Sequence, residues 1–335
     1  MTLLLIVMTI PLSLALGGLL FQAMASARDA WRFPPPGSLV DVGGHRLHIH
    51  CMGEGKPTVV FDSGLPGSLL SWCYVQPEVA KFARACSYDR AGLGWSEPRP
   101  TPRSSEQIVE ELHALLAKAG IRPPYVLVGH SFGGMTVRLF ASKYPEEVVG
   151  MVLVDPLHPE EWESIARNEK EQIEAGMRLA RRVAWFARFG LMRLYFYLIG
   201  AGVVKPRVRS AWITSIEKMP HELLPALRAS WCRPQPYETI IRQVECLSQS
   251  AAQVAAAGGH GEIPLIVLSA SNPSQDRQRV QKIAAGLSAN GRHMVASDSG
   301  HWINIDQPAL VIEAIREVIE LARRRASGEQ PVHSR

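Results

Sequence analysis

The chain has 335 residues, of which 47% are hydrophobic, so it can bury a sizeable core. Its formal net charge of +5 at pH 7 is only mildly basic, and it carries no short basic-aromatic motif of a nucleic-acid-binding module, so we expect no nucleic-acid partner. Five scattered cysteines form neither a CxxC pair nor a zinc pattern. We therefore expect them to be small core hydrophobes rather than members of a disulfide framework.

The N-terminal segment, residues 1–27, differs from the rest of the chain. Residues 2–21 contain no charge and form an apolar run about long enough to cross a bilayer as a helix. We predict an uncleaved single-pass anchor, and hence a membrane protein. A cleaved signal peptide and a secreted product are the alternative, because Ala25-Ser26-Ala27 is an acceptable cleavage site.

Two features follow the apolar run. Arg28 and Arg32 favour a cytoplasmic location for the rest of the chain by the positive-inside rule. Residues 28–37 include "RFPPPGS", which predicts a stiff, extended linker.

Alternating strands and helices follow. Apolar-polar alternation around Gly43-Gly44 indicates a hairpin. Short apolar runs predict buried strands, and amphipathic runs predict the helices between them. The strands are at 58–61, within 85–96, and at 125–128, 150–154, 263–269 and 292–297, and the helices are at 104–120, 132–144 and 308–322. This order predicts an α/β fold with a mostly parallel sheet and helices on both faces.

The predicted domain organisation has three further parts besides the anchor and the linker. Residues 38–156 and 246–322 form the core, and Asp306 is expected to cap the last helix. Residues 157–245 contain helical material without a clear strand, which predicts a helical cap inserted into the core. Residues 323–335 are predicted to be a disordered basic tail.

Ser131 is the predicted nucleophile. It lies between Gly129 and Gly133 in "YVLVGHSFGGM", where a strand ends and a helix begins. Such a junction forces a sharp elbow that projects the serine hydroxyl above the sheet, at the positive end of the following helix.

A serine hydroxyl needs a base, and position selects His301 among the eleven histidines. His301, in "SDSGHWINIDQP", follows the last strand, as the chain order Ser, Asp, His requires. His293 begins the preceding strand and would lie at the wrong edge of the sheet. His130 adjoins the serine, but its side chain is expected to point away from the mouth of the elbow.

From about residue 38 to 322 the chain resembles the α/β-hydrolase fold superfamily, as a serine hydrolase with a cap insertion. The resemblance rests on "GHSFGG", "YDRAGLGWS" and "SGHWINIDQP". The apolar N-terminus, "PPPG" and "DRAGLGWSEP" resemble a group of uncharacterised bacterial membrane-anchored α/β hydrolases. The superfamily's epoxide hydrolases and haloalkane dehalogenases use an aspartate nucleophile, so a serine implies acyl chemistry.

The resemblance also implies an oxyanion hole. The family usually carries His-Gly after the third strand, and the next residue donates a backbone N–H. Here the strand ends in Asp62-Ser63-Gly64-Leu65, and Pro66 has no N–H. Leu65 is therefore the expected donor, together with Phe132 after the nucleophile. Loss of the histidine is expected to change how the loop is braced.

The acid has two candidates. The family's commoner acidic position falls on Pro273, preceded by Asn272, and Asp276 comes three residues late. Asp155 ends the strand "GMVLVDP", a place that some family branches use, dehalogenase-like ones included, and it is the favoured acid. Asp89, in "YDRAG", is interpreted as a turn-bracing residue.

The expected reaction is carboxylesterase- or lipase-like hydrolysis of an ester, with an amide or a thioester as variants. Ser131 attacks the carbonyl, His301 relays the proton, and water resolves the acyl-enzyme. No metal or organic cofactor is expected; His48 and His50 share a strand face but lack a third ligand. Acyl transfer by the same triad, or ligand binding with little turnover, are the alternatives.

The cap has an unusual composition. Residues 178–212 hold eight Lys or Arg and seven aromatic residues, and no acid. One interpretation is a cap helix pair that covers the site with solvated arginines. The other is an interfacial segment that contacts lipid headgroups and acyl chains. Both predict a hydrophobic acyl substrate, and membrane lipid is the expected partner of the N-terminal segment and, in the second interpretation, of the cap.

Overall fold

The computed structural model describes residues 2–99, 101–163, 167–204, 215–271 and 274–328. Its centre is an eight-stranded sheet in the order β1-β2-β4-β3-β5-β6-β7-β8. The pairs β1–β2 and β2–β4 are antiparallel, and all other pairs are parallel. The strands are β1 (Ser38–Asp41), β2 (Arg46–Met52), β3 (Thr58–Asp62), β4 (Ala85–Tyr88), β5 (Tyr125–His130), β6 (Val148–Val154), β7 (Leu265–Ser269) and β8 (Gly291–Val295).

Helices cover both faces of this sheet, which confirms the predicted α/β-hydrolase architecture. One core cluster joins the sheet to α3, α4 and α11, and the other joins it to α2 and α13. The helices are α1 (Thr2–Arg32), α2 (Gln76–Val79), α3 (Ser105–Lys118), α4 (Phe132–Lys143), α5 (Pro159–Glu163), α6 (Arg167–Arg188), α7 (Leu191–Gly200), α8 (Leu224–Trp231), α9 (Gln235–Glu245), α10 (Leu247–Ala255), α11 (Gln275–Ala285), α12 (Ile303–Asp306) and α13 (Pro308–Ser327).

Strand β5 lies at the middle of the sheet and is buried along its whole length. Because β3, β5, β6 and β7 run parallel, their carboxyl ends meet at one edge, where ligands of such sheets bind. The helices from α5 to α9 stand between β6 and β7, where the sequence predicts the cap.

Both termini are more helical than the sequence indicates. Helix α1 continues to Arg32, so the predicted linker at 28–37 is wrong in its first five residues. The helix ends there because Phe33 precedes a proline, which disfavours helical backbone. Among the described residues α1 is the one helix long and apolar enough to cross a bilayer, with a mean hydropathy of 1.5 in its most apolar window.

The last helix, α13, continues to Ser327, so residues 323–327 are not disordered as predicted. The guanidinium of Arg323 donates to the carbonyl of Lys56 at 2.9 Å, and Gly328 ends the helix at a φ of 77°. Residues 329–335 lie outside the described part of the chain. Asp306 does not cap α13, because it belongs to the preceding turn of helix, α12, and forms an ion pair with Lys218.

The expectation of unpaired cysteines is also wrong. Cys51 and Cys86 are register partners on the adjacent strands β2 and β4, and they form a disulfide with a Cα–Cα distance of 4.0 Å. Spacing along the chain does not reveal this pair, since β4 is paired with β2 only through the order of the sheet. Cys73, Cys232 and Cys246 are free.

Candidate active site

The elbow at Ser131 is built by steric demand. Ser131 joins β5 to α4 with φ 54° and ψ −119°, a conformation that non-glycine residues rarely adopt. A Cβ on Gly129 would lie 2.5 Å from the carbonyl oxygen of Gly133, and a Cβ on Gly133 would lie 2.4 Å from that of Asp62. The two glycines that flank the serine are therefore required for the chain to close this turn.

His301 and Asp155 meet at the carboxyl edge of the sheet. The loop after β8 carries His301, and Asp155 follows β6 directly. Nδ1 of His301 lies 2.6 Å from Oδ2 of Asp155, and the aspartate is buried. Asp155 itself has a φ of 41°, a backbone conformation that non-glycine residues rarely adopt. The structure therefore brings together the sequence-predicted base and the favoured acid.

Arg277 contacts the same carboxylate and is missed by the sequence analysis. Its Nη2 donates to Oδ2 of Asp155 at 3.0 Å, and its Nη1 donates to Glu161 at 2.7 Å. Burial alone would raise the pKa of the Asp155 carboxyl, but the His301 hydrogen bond and the Arg277 charge outweigh it and hold that pKa below its usual value. Asp155 therefore stays ionised beside the imidazole.

The rival acid, Asp276, lies exposed in the first turn of α11, and the structure does not bring it to His301. Its neighbour Arg277, one position further along that helix, is the residue that reaches the site. Asn272 and Pro273, where the commoner acidic position falls, lie outside the described residues. His293 lies on β8 and pairs with Ser269 at 2.9 Å, away from the elbow.

His130 anchors the loop that carries His301. Its Nε2 donates to the backbone carbonyl of His301 at 2.9 Å, and its ring centroid lies 4.8 Å from those of His301 and Trp302. Burial, reinforced by the His301 charge, lowers the pKa of His130 to about 3, so the ring is neutral with its proton on Nε2. Its position next to the nucleophile is the one sequence signal for this role.

The loop after β3 passes directly beside the nucleophile. A Cβ on Gly64 would lie 3.3 Å from Cβ of Ser131 and 3.2 Å from Nδ1 of His130. The next residue, Leu65, is the predicted first oxyanion donor, and Phe132 opens α4 as the second. Neither backbone N–H is used in a hydrogen bond to an acceptor among the described residues, so both are free to receive a ligand oxygen.

A buried ion pair braces this loop where the family's usual histidine is missing. Nε of Arg90 donates to Oδ1 of Asp62 at 2.8 Å, and the guanidinium carbon lies 5.0 Å from the ring centroid of Phe132. Burial raises the pKa of Asp62, and the charge of Arg90 opposes that shift. Ser63 adds a bond from its hydroxyl to the carbonyl of Ser68 at 2.8 Å.

Asp89 has the predicted turn-bracing contacts. Its carboxylate accepts the N–H of Leu69 at 2.8 Å and that of Trp95 at 3.0 Å. It also pairs with Nδ1 of His48 at 2.9 Å, while Nε2 of His48 accepts the N–H of Gly37 at 3.2 Å. Both ring nitrogens of His48 are thus engaged within the protein, and the described residues contain no group of three that could hold a metal ion.

Two cavities lie near the loops that carry Leu65 and His301. The larger has a volume of about 200 Å³ and lies between the end of α1, the loop after β4 and α8. The smaller shares Ser68, Leu70 and Leu227 with it and extends to Pro66 and Trp302, which are the neighbours of Leu65 and His301. Their lining is mostly apolar, as expected of a site for an apolar ligand.

The model of the α/β hydrolase fold family matches residues 57–308, which include the elbow, Asp155 and His301. The chain belongs to the α/β hydrolase fold family. Among curated relatives, Bacillus subtilis (strain 168) YbdG is 27% identical over 234 residues, which cover 63% of this chain and 69% of YbdG.

Solved structures share the fold of this chain at low sequence identity. A thermophilic esterase from Thermogutta terrifontis is similar with a TM-score of 0.60 and 21% identity, over 85% of this chain and 97% of the esterase. A bromoperoxidase from Bacillus anthracis is similar with a TM-score of 0.62 and 18% identity, over 84% of this chain and 99% of the bromoperoxidase chain. At this identity the likeness shows the fold alone, because one fold supports several chemistries.

Proposed function

We propose that the protein is a serine hydrolase that cleaves a carboxylic ester of a hydrophobic substrate. Ser131 is the nucleophile, His301 the general base and Asp155 the acid that orients it. The observation that carries the proposal is the 2.6 Å contact between Asp155 and His301, at the same sheet edge as a serine held in a strained elbow. An ionised, buried carboxylate on Nδ1 leaves Nε2 of the imidazole free to take the serine proton.

In the first step the Ser131 oxygen attacks the ester carbonyl while its proton passes to His301. The carbonyl oxygen becomes an oxyanion, which the N–H groups of Leu65 and Phe132 stabilise. Collapse of this intermediate expels the alcohol, which takes the proton from His301 and leaves an acyl group on Ser131. Water then attacks the acyl-enzyme by the same route and releases the carboxylic acid.

Serine as nucleophile argues for acyl chemistry, since an epoxide or haloalkane displacement uses a carboxylate nucleophile whose ester is then hydrolysed. A hydrophobic substrate is favoured by the side chains that line the cavities near the site, such as Leu70, Leu227, Met219 and Ile305. No step in this scheme needs a metal or an organic cofactor.

A fluorophosphonate probe tests the proposal, because it reacts with an activated serine and not with an ordinary hydroxyl. We expect labelling of the wild-type chain and none of Ser131→Ala, and turnover of p-nitrophenyl esters that Ser131→Ala lowers by several orders of magnitude. Wild-type protein that neither labels nor hydrolyses any ester of the series, from short to long acyl chains, would contradict the proposal.

A further inference from the structure

Helix α1 packs against the turn between α6 and α7 of the cap. A Cβ on Gly18 would lie 2.8 Å from the carbonyl oxygen of Phe189, and a Cβ on Gly190 would lie 2.6 Å from the Phe21 ring. Such close approach means that the two backbones are in direct contact. The α6–α7 hairpin therefore lies beside the apolar part of α1.

Polar contacts fix the hairpin to the next turns of α1. Arg193 of α7 donates to Gln22 at 2.8 Å and to Asp29 at 2.5 Å. The amide of Gln22 donates to the carbonyl of Cys232 at 3.0 Å, and Gln22 is buried. These bonds join α1 to the folded body on the side where its polar residues begin.

The position of these contacts along α1 gives the depth of the hairpin in a bilayer. Residues 2–21 contain neither a charge nor an amide side chain, and at ~1.5 Å per residue they match the ~30 Å of a hydrocarbon core. Gln22 then lies at the boundary of that core. Gly18 and Phe21 lie within the last helical turn inside it, and Phe189 and Gly190 lie beside them, roughly 5 Å below the boundary.

The surface that surrounds this turn is apolar and exposed. The side chains that share this property are Trp185 (55% exposed), Phe186 (43%), Leu191 (44%), Leu194 (51%) and Tyr197 (71%). Leu19 and Leu20 of α1, which lie between the contact residues Gly18 and Phe21, are exposed as well. Exposed apolar side chains on both of the packed elements mark an interaction surface, and its position beside the apolar helix α1 indicates that its occupant is lipid.

The larger cavity lies further along α1, beyond the boundary residue Gln22. Ser26, Asp29 and Ala30 of α1 form one wall of it, and Leu70 and Leu227 form the inner wall. From there the smaller cavity continues to Trp302, beside His301. A ligand that enters next to α1 would thus lie one small cavity, of about 20 Å³, away from the loops that carry Leu65 and His301.

We propose that the α6–α7 hairpin inserts its apolar face into the leaflet at which α1 ends, and that the substrate is a lipid acyl ester drawn from this leaflet through the cavity beside α1. The second half rests on the proposed ester hydrolysis. Residues 205–214, which follow the hairpin and carry the remaining basic residues of the cap segment, lie outside the described part of the chain.

Tryptophan quenching by brominated lipid tests the insertion. The full chain is reconstituted into phosphatidylcholine vesicles with bromine near the headgroup end of the acyl chains. We expect Trp185→Phe to remove about one tryptophan's share of the quenched fluorescence. Trp162→Phe is the matched control, because Trp162 is partly buried on α5 and bonds to Ser248. Equal quenching in the wild type and in Trp185→Phe would overturn the insertion.

A substrate pair tests the route. For each variant the rate on a long-chain ester dissolved in the vesicles is divided by the rate on soluble p-nitrophenyl acetate. We expect Leu194→Ser/Tyr197→Ser to lower this ratio at least fivefold, and the control Val295→Ser, at a position 53% exposed on β8, to keep it. An unchanged ratio would overturn the lipid route. Absence of turnover on both substrates would instead contradict the proposed function, and the quenching would still decide the insertion.

Discussion

Asp155 receives His301 and Arg277 on one oxygen, Oδ2, at 2.6 and 3.0 Å. Oδ1 of the same carboxylate accepts the N–H of Ala270 at 3.2 Å. The side chain is therefore held from three directions and has little freedom to rotate. Such a carboxylate can keep the His301 ring in one tautomer and stabilise the imidazolium that forms during attack.

Asp155→Asn keeps the side-chain volume but removes the charge and disturbs the tautomer of His301. We expect ester turnover to fall by roughly 10³- to 10⁴-fold. Asp276→Asn should have almost no effect, since Asp276 is exposed at the start of α11. The two variants are compared for kcat and for fluorophosphonate labelling of Ser131; a crippled Asp276→Asn beside an active Asp155→Asn would reverse the assignment.

Arg277→Gln removes the cation that helps to keep the pKa of Asp155 low. We expect kcat to fall roughly tenfold, equivalent to ~1.4 kcal/mol, with little change in KM. Because the Asp155 pKa rises in the variant, activity should also be lost at a higher pH on the acid side of the profile. Arg279→Gln, which breaks an exposed pair with Glu160 on the same helix, is the control. If both variants have the wild-type pH profile, Arg277 has no part in holding the carboxylate.

The strands, the elbow and the position of His301 after the last strand could be predicted, because a short stretch of sequence determines each of them. Apolar runs specify buried strands, and Gly129 with Gly133 specifies the turn at Ser131. The bond from His130 to the His301 carbonyl joins residues 171 apart, and the bond from Arg277 to Asp155 joins residues 122 apart. Such contacts depend on strand order and loop conformation, which no local pattern encodes.

Gly64→Ala places a methyl group against the nucleophile, 3.3 Å from Cβ of Ser131 and 3.2 Å from Nδ1 of His130. The loop must then shift by a few tenths of an ångström, which displaces the N–H of Leu65 from the oxyanion. We expect kcat to fall by ~10²-fold while the fold is kept. Gly176→Ala, where a Cβ meets nothing within 4 Å, should keep full activity. Circular dichroism monitors the fold, and wild-type kcat in Gly64→Ala would contradict the position of the oxyanion loop.

His130 makes stability depend on pH. Its pKa is about 3 in the folded protein, below the usual 6.5, because burial disfavours the charged ring. Between these values the unfolded chain binds a proton that the folded protein excludes, so the free energy of unfolding falls as the pH drops from 6.5 toward 3. His130→Gln keeps a donor for the His301 carbonyl and removes this titration.

Urea unfolding in detergent at pH 6.5 and 4.5 measures the effect. We expect the wild type to lose about 2 kcal/mol more than His130→Gln over this interval. His260→Gln is the control, because burial lowers the pKa of His260 to about 4 as well, yet this ring lies away from the site. It should flatten the pH dependence in a similar way without altering turnover, whereas His130→Gln should lower kcat. Parallel stability curves for the wild type and His130→Gln would exclude a buried neutral ring.

The disulfide between Cys51 and Cys86 bears on the predicted orientation of the α1 anchor. Disulfides form and persist in oxidising compartments, whereas Arg28 and Arg32 favour a cytoplasmic body by the positive-inside rule. Two arginines are a small charge bias, and a cross-strand bond in the sheet needs oxidation to form. We therefore expect the folded body to lie on the oxidising side of the membrane.

Cells are lysed directly into denaturant that contains an alkylating agent, with or without prior reduction. The number of alkylated thiols in the unreduced sample counts the cysteines that are free in the native protein. We expect Cys51 and Cys86 to react only after reduction, and Cys86→Ala to expose one further thiol without it. Reduction removes a cross-link between residues 35 apart, which restricts the unfolded chain. The purified protein should therefore lose ~3–4 kcal/mol of stability. Cys246→Ser, which removes a free cysteine, should change neither result. Ready alkylation of both Cys51 and Cys86 without reductant would place the body on the reducing side, as the arginines indicate.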